Sequence, residues 1–199
     1  MSSRASILNS IRSHLGAKAP YDPPKSVFSP VTRTPVVDLF KQNVEAVDGH
    51  CVVVQTEAEV IRILQSFGGR IAISDAPVLV GLGDTAPNAS DIFQYDVGIT
   101  AAQAAIAETG TLVLDAARER HRFASLVPPV HVAIVDAGSI FPTLGEALAF
   151  IHQKGDISPA VTFITGPSRT ADIELTLTIG VHGPQELYVI VNEGPPLTN

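Results

Sequence analysis

The residues of this chain that can do chemistry gather where its apolar runs break. Glu108-Thr109-Gly110-Thr111 lies between an Ala-rich stretch and an apolar run. A carboxylate in that place can act as general base or nucleophile if its pKa is raised. It can equally anchor the turn by accepting backbone N–H bonds. Gly166-Pro167-Ser168-Arg169-Thr170-Ala171-Asp172-Ile173-Glu174 follows the apolar run 160–165. Gly166 and Pro167 permit a tight exit, while Ser168, Arg169 and Thr170 offer two hydroxyls and a fixed positive charge. Thr170 is placed to cap a short helix, with Asp172 favourable near its start. Such a loop suits a carboxylate or phosphate, because arginine binds either group through two donors. The competing reading is a capped helix in which Arg169 pairs with Asp172 or Glu174.

Gly180-Val181-His182-Gly183-Pro184 is the third break. Gly183 allows close backbone approach, so the His182 imidazole can face a cleft or bond within its own turn. Arg118, Arg120, His121 and Arg122 form a basic cluster. Its simplest reading is a solvated face; the functional one turns Arg122 and Ser125 inward toward the Glu108 turn. The histidines are too scattered to show a ligand pattern, and Cys51 is the only cysteine, so no metal site is expected. Gly81-Leu82-Gly83-Asp84-Thr85-Ala86 imitates a dinucleotide fingerprint, but Pro87 and Asn88 follow at once. No helix N-terminus is then placed to hold a pyrophosphate, and a loop is expected instead.

The elements that must position these residues follow from periodicity and punctuation. Ile7, Leu8, Ile11 and Leu15 lie on one face of a helix over 3–15, which packs on its own domain or docks on a partner. Five prolines between 19 and 35 make an extended linker, which divides the chain into an arm (1–18), a linker (19–35) and a domain (36–199). Thr34 and Pro35 open a helix whose buried face is Val36, Phe40, Val44 and Val47, and Gly49 ends it. Strands are expected at 51–54 and 70–74. Between them, Thr56 and Glu59 cap a helix lined by Val60, Ile61, Leu64 and Phe67. Val78–Val80 and 96–100 read as further strands, and 101–107 as helix-prone. Thr143 and Glu146 cap another helix. The apolar runs 131–135, 160–164 and 187–191 lack alternation, which predicts burial on both faces. The expected architecture is α/β: a three-layer α/β/α sandwich with a mostly parallel sheet. In such sheets ligands bind at the carboxyl ends of strands.

Composition narrows the function classes. The chain has 199 residues, 45% apolar and 17% charged, with a formal net charge of -7. That balance favours a packed domain and disfavours general nucleic-acid binding, which needs clustered Lys and Arg. No apolar run approaches the ~18 residues of a membrane span, and the N-terminus lacks a signal-peptide core; the expected place is cytoplasmic. One cysteine cannot hold an iron–sulfur cluster, which takes about four thiolates.

The stretches Ala107–Leu114, Arg122…Ser125-Leu126…Pro128…His131, Gly166–Glu174 and Gly180–Pro184 together resemble the lactate utilization protein C family, or LUD domain. The resemblance spans about residues 36–192, and the N-terminal helix is also family-like. It implies a fold like the NagB/RpiA/CoA-transferase group. It also implies a part in oxidising L-lactate to pyruvate beside two iron–sulfur proteins. The sequence itself, with no cysteine cluster and no credible dinucleotide fingerprint, adds the expectation of no cofactor intrinsic to this chain. On that footing Arg169 would hold the carboxylate, with Ser168 and Thr170 adding hydrogen bonds and Glu108 and His182 handling protons. Thr109, Gly110, Thr111 and Arg122 complete the expected substrate-binding set; Gly166, Asp172, Glu174 and Gly183 are structural. The alternative is a stand-alone transferase or ligase-like enzyme acting on a phosphorylated or CoA-linked small molecule, with Glu108 as nucleophile.

Overall fold

The computed structural model of the protein describes residues 3–15, 35–74, 79–84, 91–116, 122–153, 160–171, 177–179 and 183–197. In chain order the elements are α1 (Ser3–Leu15), α2 (Val36–Ala46), β1 (His50–Val54), α3 (Glu57–Ser66), β2 (Ile71–Ile73), β3 (Val97–Ala101), β4 (Ala104–Ile106), β5 (Thr111–Asp115), β6 (Val130–Asp136), β7 (Ile140–Phe141), α4 (Leu144–Gln153), β8 (Val161–Ile164), β9 (Arg169–Ala171), β10 (Leu177–Ile179) and β11 (Glu186–Asn192). Five strands pair in parallel in the order β1-β11-β6-β3-β2. This is the mostly parallel α/β sheet that the sequence pattern predicts. Among the described residues no helix is long and apolar enough to cross a membrane.

Local chemistry accounts for the helix ends. The Thr56 hydroxyl accepts from the Glu59 N–H at 3.3 Å, and the Glu59 carboxylate accepts from the Thr56 N–H at 3.0 Å, closing the expected capping box. Pro35 takes the N-cap position of α2 and Val36 is its first helical residue, so the helix starts one residue later than expected. That helix ends at Ala46 with Val47 as its C-cap, and the left-handed residue that closes it is Asp48 rather than Gly49. Asp48 adopts φ 63° and donates to the Glu45 carbonyl, while Gly49 N–H reaches back to Val44. Aspartate tolerates the left-handed region better than most residues, and the paired bonds satisfy the last carbonyls.

Burial builds the layers. Val60 and Leu64 of α3 pack on one face of the parallel sheet against Ile99, Val132, Ile134 and Ile190. Phe40 and Val44 of α2 cover the other face, against Ala133, Val135, Val189 and Val191. That layer is shared with a second sheet, β7-β4-β5-β8, which contributes Ala105, Leu112 and Leu114. Outside the second sheet, Ala147 of α4 packs on Ala104, Ile106 and Val113.

The structure overturns four expectations about the elements between these layers and beyond them. The Ala-rich stretch 101–107 is not helical: it completes β3 and forms β4, with Ala101, Ala102, Ala104, Ala105 and Ala107 all buried. Small side chains let two sheets approach closely there, and that packing outweighs helix propensity. The run 160–164 is not buried on both faces. It is the antiparallel edge strand β8, with Phe163 45% exposed. Thr170, expected at a helix start, lies in a strand: Arg169–Ala171 is β9, paired antiparallel with β10. Leu79 and Val80 form a turn closed by the Leu82 N–H on the Leu79 carbonyl, not the expected strand. Gly81–Asp84 is loop, as expected, with Asp84 bridging to Ala72 of β2.

The carboxyl ends of the two central strands are occupied by the chain itself. Asp136 ends β6 and Asn192 ends β11, side by side, with Asn192 Nδ2 donating to Asp136 Oδ1 at 2.8 Å. The chain then turns back, so that the Gly194 N–H donates to Asn192 Oδ1 and the Leu197 N–H to the Asp136 carboxylate. The crevice where an α/β sheet usually takes its ligand is therefore filled by residues 193–197, and the open cavity lies elsewhere.

Candidate functional site

A cavity of about 340 Å³ opens at the amino ends of β6 and β11, where they meet the carboxyl end of β8. That volume is in the usual range for a small-molecule site, roughly 300–1,000 Å³. The 165–169 loop forms one wall. Gly183 and Pro184, just ahead of β11, form another, and Ser125 and Leu126 a third. His131, the second residue of β6, lies at the buried end. Arg169 and His131 are the only ionisable residues of the described lining, and no carboxylate is among them.

Each wall is positioned by a close backbone approach. Gly166 has φ 73°, and a Cβ there would stand 2.6 Å from the Val47 carbonyl oxygen, so the loop after β8 is docked on the end of α2. Gly110, in the Glu108 turn, has φ 64° and would meet the Val44 nitrogen at 2.5 Å. Both turns thus require glycine for conformation and for space. Gly183 faces Ser168, whose Cβ lies 2.9 Å from where a Gly183 Cβ would be, and the Ser168 N–H donates to the Pro184 carbonyl at 2.8 Å. At Gly98 of β3 a Cβ would run into the carbonyl of Ala124, so the turn Arg122–Ser125 lies directly on the sheet. Gly98 is paired in register with His131, which brings Ser125 and His131 into the same cavity.

Ser168, Arg169, Gly166 and Gly183, four of the expected site residues, line this cavity together. Thr111 is joined to it through Thr165: the Thr109 and Thr111 hydroxyls are 2.7 Å apart, and Thr111 and Thr165 are 2.7 Å apart. Glu108 is not among the lining residues. Its Oε1 accepts from the Leu144 N–H at 2.9 Å, at the start of α4, where a carboxylate also complements the helix dipole. Thr170 lies in β9. The side chain of Arg122, and His182, Asp172 and Glu174 entirely, lie outside the described residues.

Arg169 finds a partner the sequence reading did not contain. Its Nη2 donates to the Asp48 carboxylate and, at 3.2 Å, to the Val47 carbonyl. The guanidinium therefore caps the carboxyl end of α2 while its residue borders the cavity. The pair is half in solvent, with side chains 35% and 72% exposed, and exposed pairs contribute about 0–1 kcal/mol.

His131 is a functional candidate to which the sequence reading gave no role. That reading placed it at the end of one family-like stretch and at the start of a strand. The available signal was a titratable side chain inside the apolar run Val130–Val135, whose lack of alternation already implied burial. Its Nε2 lies 2.8 Å from Thr100 Oγ1, and its buried Nδ1 has no hydrogen-bond partner among the described residues. Such an unpaired buried atom costs about 1–3 kcal/mol.

Burial pushes the His131 pKa down to about 4, so the ring is neutral at physiological pH. A histidine depressed in the fold binds its proton more readily in the unfolded chain. Its contribution is fully present above pH 6.5 and is lost as pH falls toward 4. Urea titrations at pH 7 and pH 5 should show the protein losing about 2 kcal/mol more than a His131→Gln variant does. Equal losses would mean that His131 is not buried and neutral. Burial likewise raises the Cys51 thiol to about 12, which leaves it protonated and unreactive. Among the described residues no group of three or more His, Cys, Asp or Glu could hold a metal ion.

Comparison with known proteins agrees with this architecture. The LUD domain family model matches residues 83–191, more than half of the chain. Lactate utilization protein C of Bacillus licheniformis is 40% identical over 105 residues, covering 50% of this chain and 44% of that protein. Lactate utilization protein C 1 of Bacillus mycoides is 42% identical over 120 residues, covering 57% of this chain and 50% of that one. The match thus spans about half the length of these relatives or less. The crystal structure of a DUF162 family protein from Deinococcus radiodurans superposes with a TM-score of 0.62 at 23% identity, covering 82% of this chain and 99% of that chain, and so shares the fold. On the family match over its central strands and cavity-forming loops, this chain belongs to the LUD domain family.

Proposed function

We propose that this domain handles a small hydroxylated carboxylate for a lactate-utilization system and works beside iron–sulfur proteins that carry the electrons. The observation that carries this reading is the chemistry of the cavity: one arginine, the hydroxyls of Thr165, Ser168 and Ser125, and no carboxylate in the described lining. An anion meets a cation and donors there and no opposing charge. The names of the relatives support lactate utilization as the setting. A two-electron oxidation needs an acceptor, and a single cysteine cannot hold a cluster, so the clusters belong to partners.

In this reading Arg169, braced by Asp48 and the Val47 carbonyl, presents its remaining donors to the carboxylate. Ser168 and Thr165 add hydrogen bonds, and the Thr109–Thr111 hydroxyls orient Thr165 from behind. Glu108 holds the turn that carries those threonines to the start of α4. His182, next to Gly183, is the remaining proton-handling candidate.

Arg169→Ala should weaken L-lactate binding, measured by calorimetric titration, about ten- to hundredfold. Unfolding stability should fall by no more than about 1 kcal/mol, because the Asp48 pair is exposed. Unchanged lactate affinity would sink the assignment of Arg169. Anaerobic lactate-dependent dye reduction by this chain alone, by the iron–sulfur partners alone and by the mixture tests the larger claim. Turnover is expected only in the mixture, and turnover by this chain alone would overturn the division of labour.

A further inference from the structure

His131 borders the cavity, is 1% exposed, and leaves Nδ1 without a partner among the described residues. Buried polar atoms are almost always paired. One that is unpaired beside an open cavity is placed to take a bond from a water or from a bound molecule. Packing fixes the ring: its neighbours across the sheet are Gly98, covered by the Ala124 carbonyl, and Leu187, which is 1% exposed. On its other nitrogen the ring is held by Thr100, whose hydroxyl is fully buried.

A threonine hydroxyl both donates and accepts. The pair can therefore hold the ring with Nε2–H donated to Thr100, which leaves Nδ1 as an acceptor. A neutral acceptor suits an alcohol hydroxyl and does nothing for a carboxylate, which needs donors. The cavity thus separates two functions. Arg169, Ser168 and Thr165 supply donors at the loop wall, and His131 borders the buried end with one ring nitrogen that has no partner among the described residues. A ligand satisfying both carries a carboxylate and an adjacent hydroxyl.

We propose that His131 is the ligand-binding residue that reads the hydroxyl of a small 2-hydroxy carboxylate, with Nδ1 as the hydroxyl's partner and Thr100 as the group that holds the ring. The proposal rests on the reading of the cavity as a carboxylate site. It gives a role to a residue that the sequence reading left without one, and it makes the hydroxyl, rather than the carboxylate, the feature by which this site selects its ligand.

The test is a titration of the folded wild-type protein, observed through the imidazole 15N resonances of His131. L-lactate and 2-hydroxybutyrate are compared with propionate and butyrate, which lack the hydroxyl. The hydroxy acids should move the Nδ1 resonance, bind about tenfold or more tighter than their deoxy counterparts, and leave the Nε2 resonance nearly still. His131→Gln keeps an amide near Thr100 but removes the group at the Nδ1 position, and should abolish the preference. His131→Asn keeps a polar group near Nδ1 and should retain part of it. Hydroxy acids that bind without moving the Nδ1 resonance would overturn the proposal, as would an undiminished preference in a folded His131→Gln. So would a failure of every hydroxy acid to bind. If 2-hydroxybutyrate behaves as expected and L-lactate does not bind, the role of His131 stands and the lactate reading falls. Because the resonance titration uses the wild-type chain, a variant that fails to fold does not remove the test.

Discussion

Replacing Gly98 by alanine should cost the protein about 3 kcal/mol or more, toward the upper end of what overpacked sites show. The added methyl would occupy the place of the Ala124 carbonyl, with Pro128 Cγ only 3.1 Å away. Neither obstacle is the free end of a flexible side chain. Gly98 lies within β3, hydrogen-bonded to β2 on one side and β6 on the other, so the strand cannot retreat without breaking two ladders. The turn Arg122–Ser125 must lift instead, taking Ala124 out of its contact with Ala72, Ile92 and Tyr95 and Ser125 out of the cavity. Urea denaturation measures the loss. A Gly98→Ala protein as stable as the parent would mean that the turn does not rest on the strand, and the cavity wall built from Ser125 would go with it.

Phe40→Ala should be comparably damaging, about 3–5 kcal/mol. Phe40 is fully buried where α2 lies over the central strands and the second sheet, so truncation leaves a void that three elements share. The consequence reaches the cavity. The end of α2 supplies the Val47 carbonyl, beside which Gly166 turns, and the Asp48 carboxylate, which holds Arg169. A loosened α2 should therefore weaken carboxylate binding as well as lower the melting temperature. Phe93→Ala is the control: that ring is 80% exposed, and its removal should change stability by no more than about 0.5 kcal/mol. Similar losses for the two variants would contradict the placement of α2 over the core.

What could be read in the chain was mostly local. The Thr56–Glu59 capping box is made from residues three apart, and the apolar faces of α2 and α3 repeat at helical spacing; both features are present in the structure. The central strands β6 and β11 announced themselves as unalternating apolar runs because both faces are covered. The loops at 166–169 and 183–184 were recognisable from their glycines and prolines, and they do meet at one cavity.

Sequence by itself thus determined the α/β class, the family and the loops that carry polar groups, because each rests on near neighbours or on a motif. Tertiary structure alone decided the second sheet, where alanines suited to a helix were drawn into β3 and β4 by the closeness of two layers. It decided that Arg169 pairs with Asp48, 121 residues away. It also put the described cavity at the amino ends of the central strands, while residues 193–197 fold back onto Asp136 and Asn192 at their carboxyl ends. His131, Thr100 and Gly98 acquire meaning only when β3 and β6 lie side by side. Contacts of this kind join residues that local pattern treats as unrelated, and only the packed chain brings them within hydrogen-bonding distance.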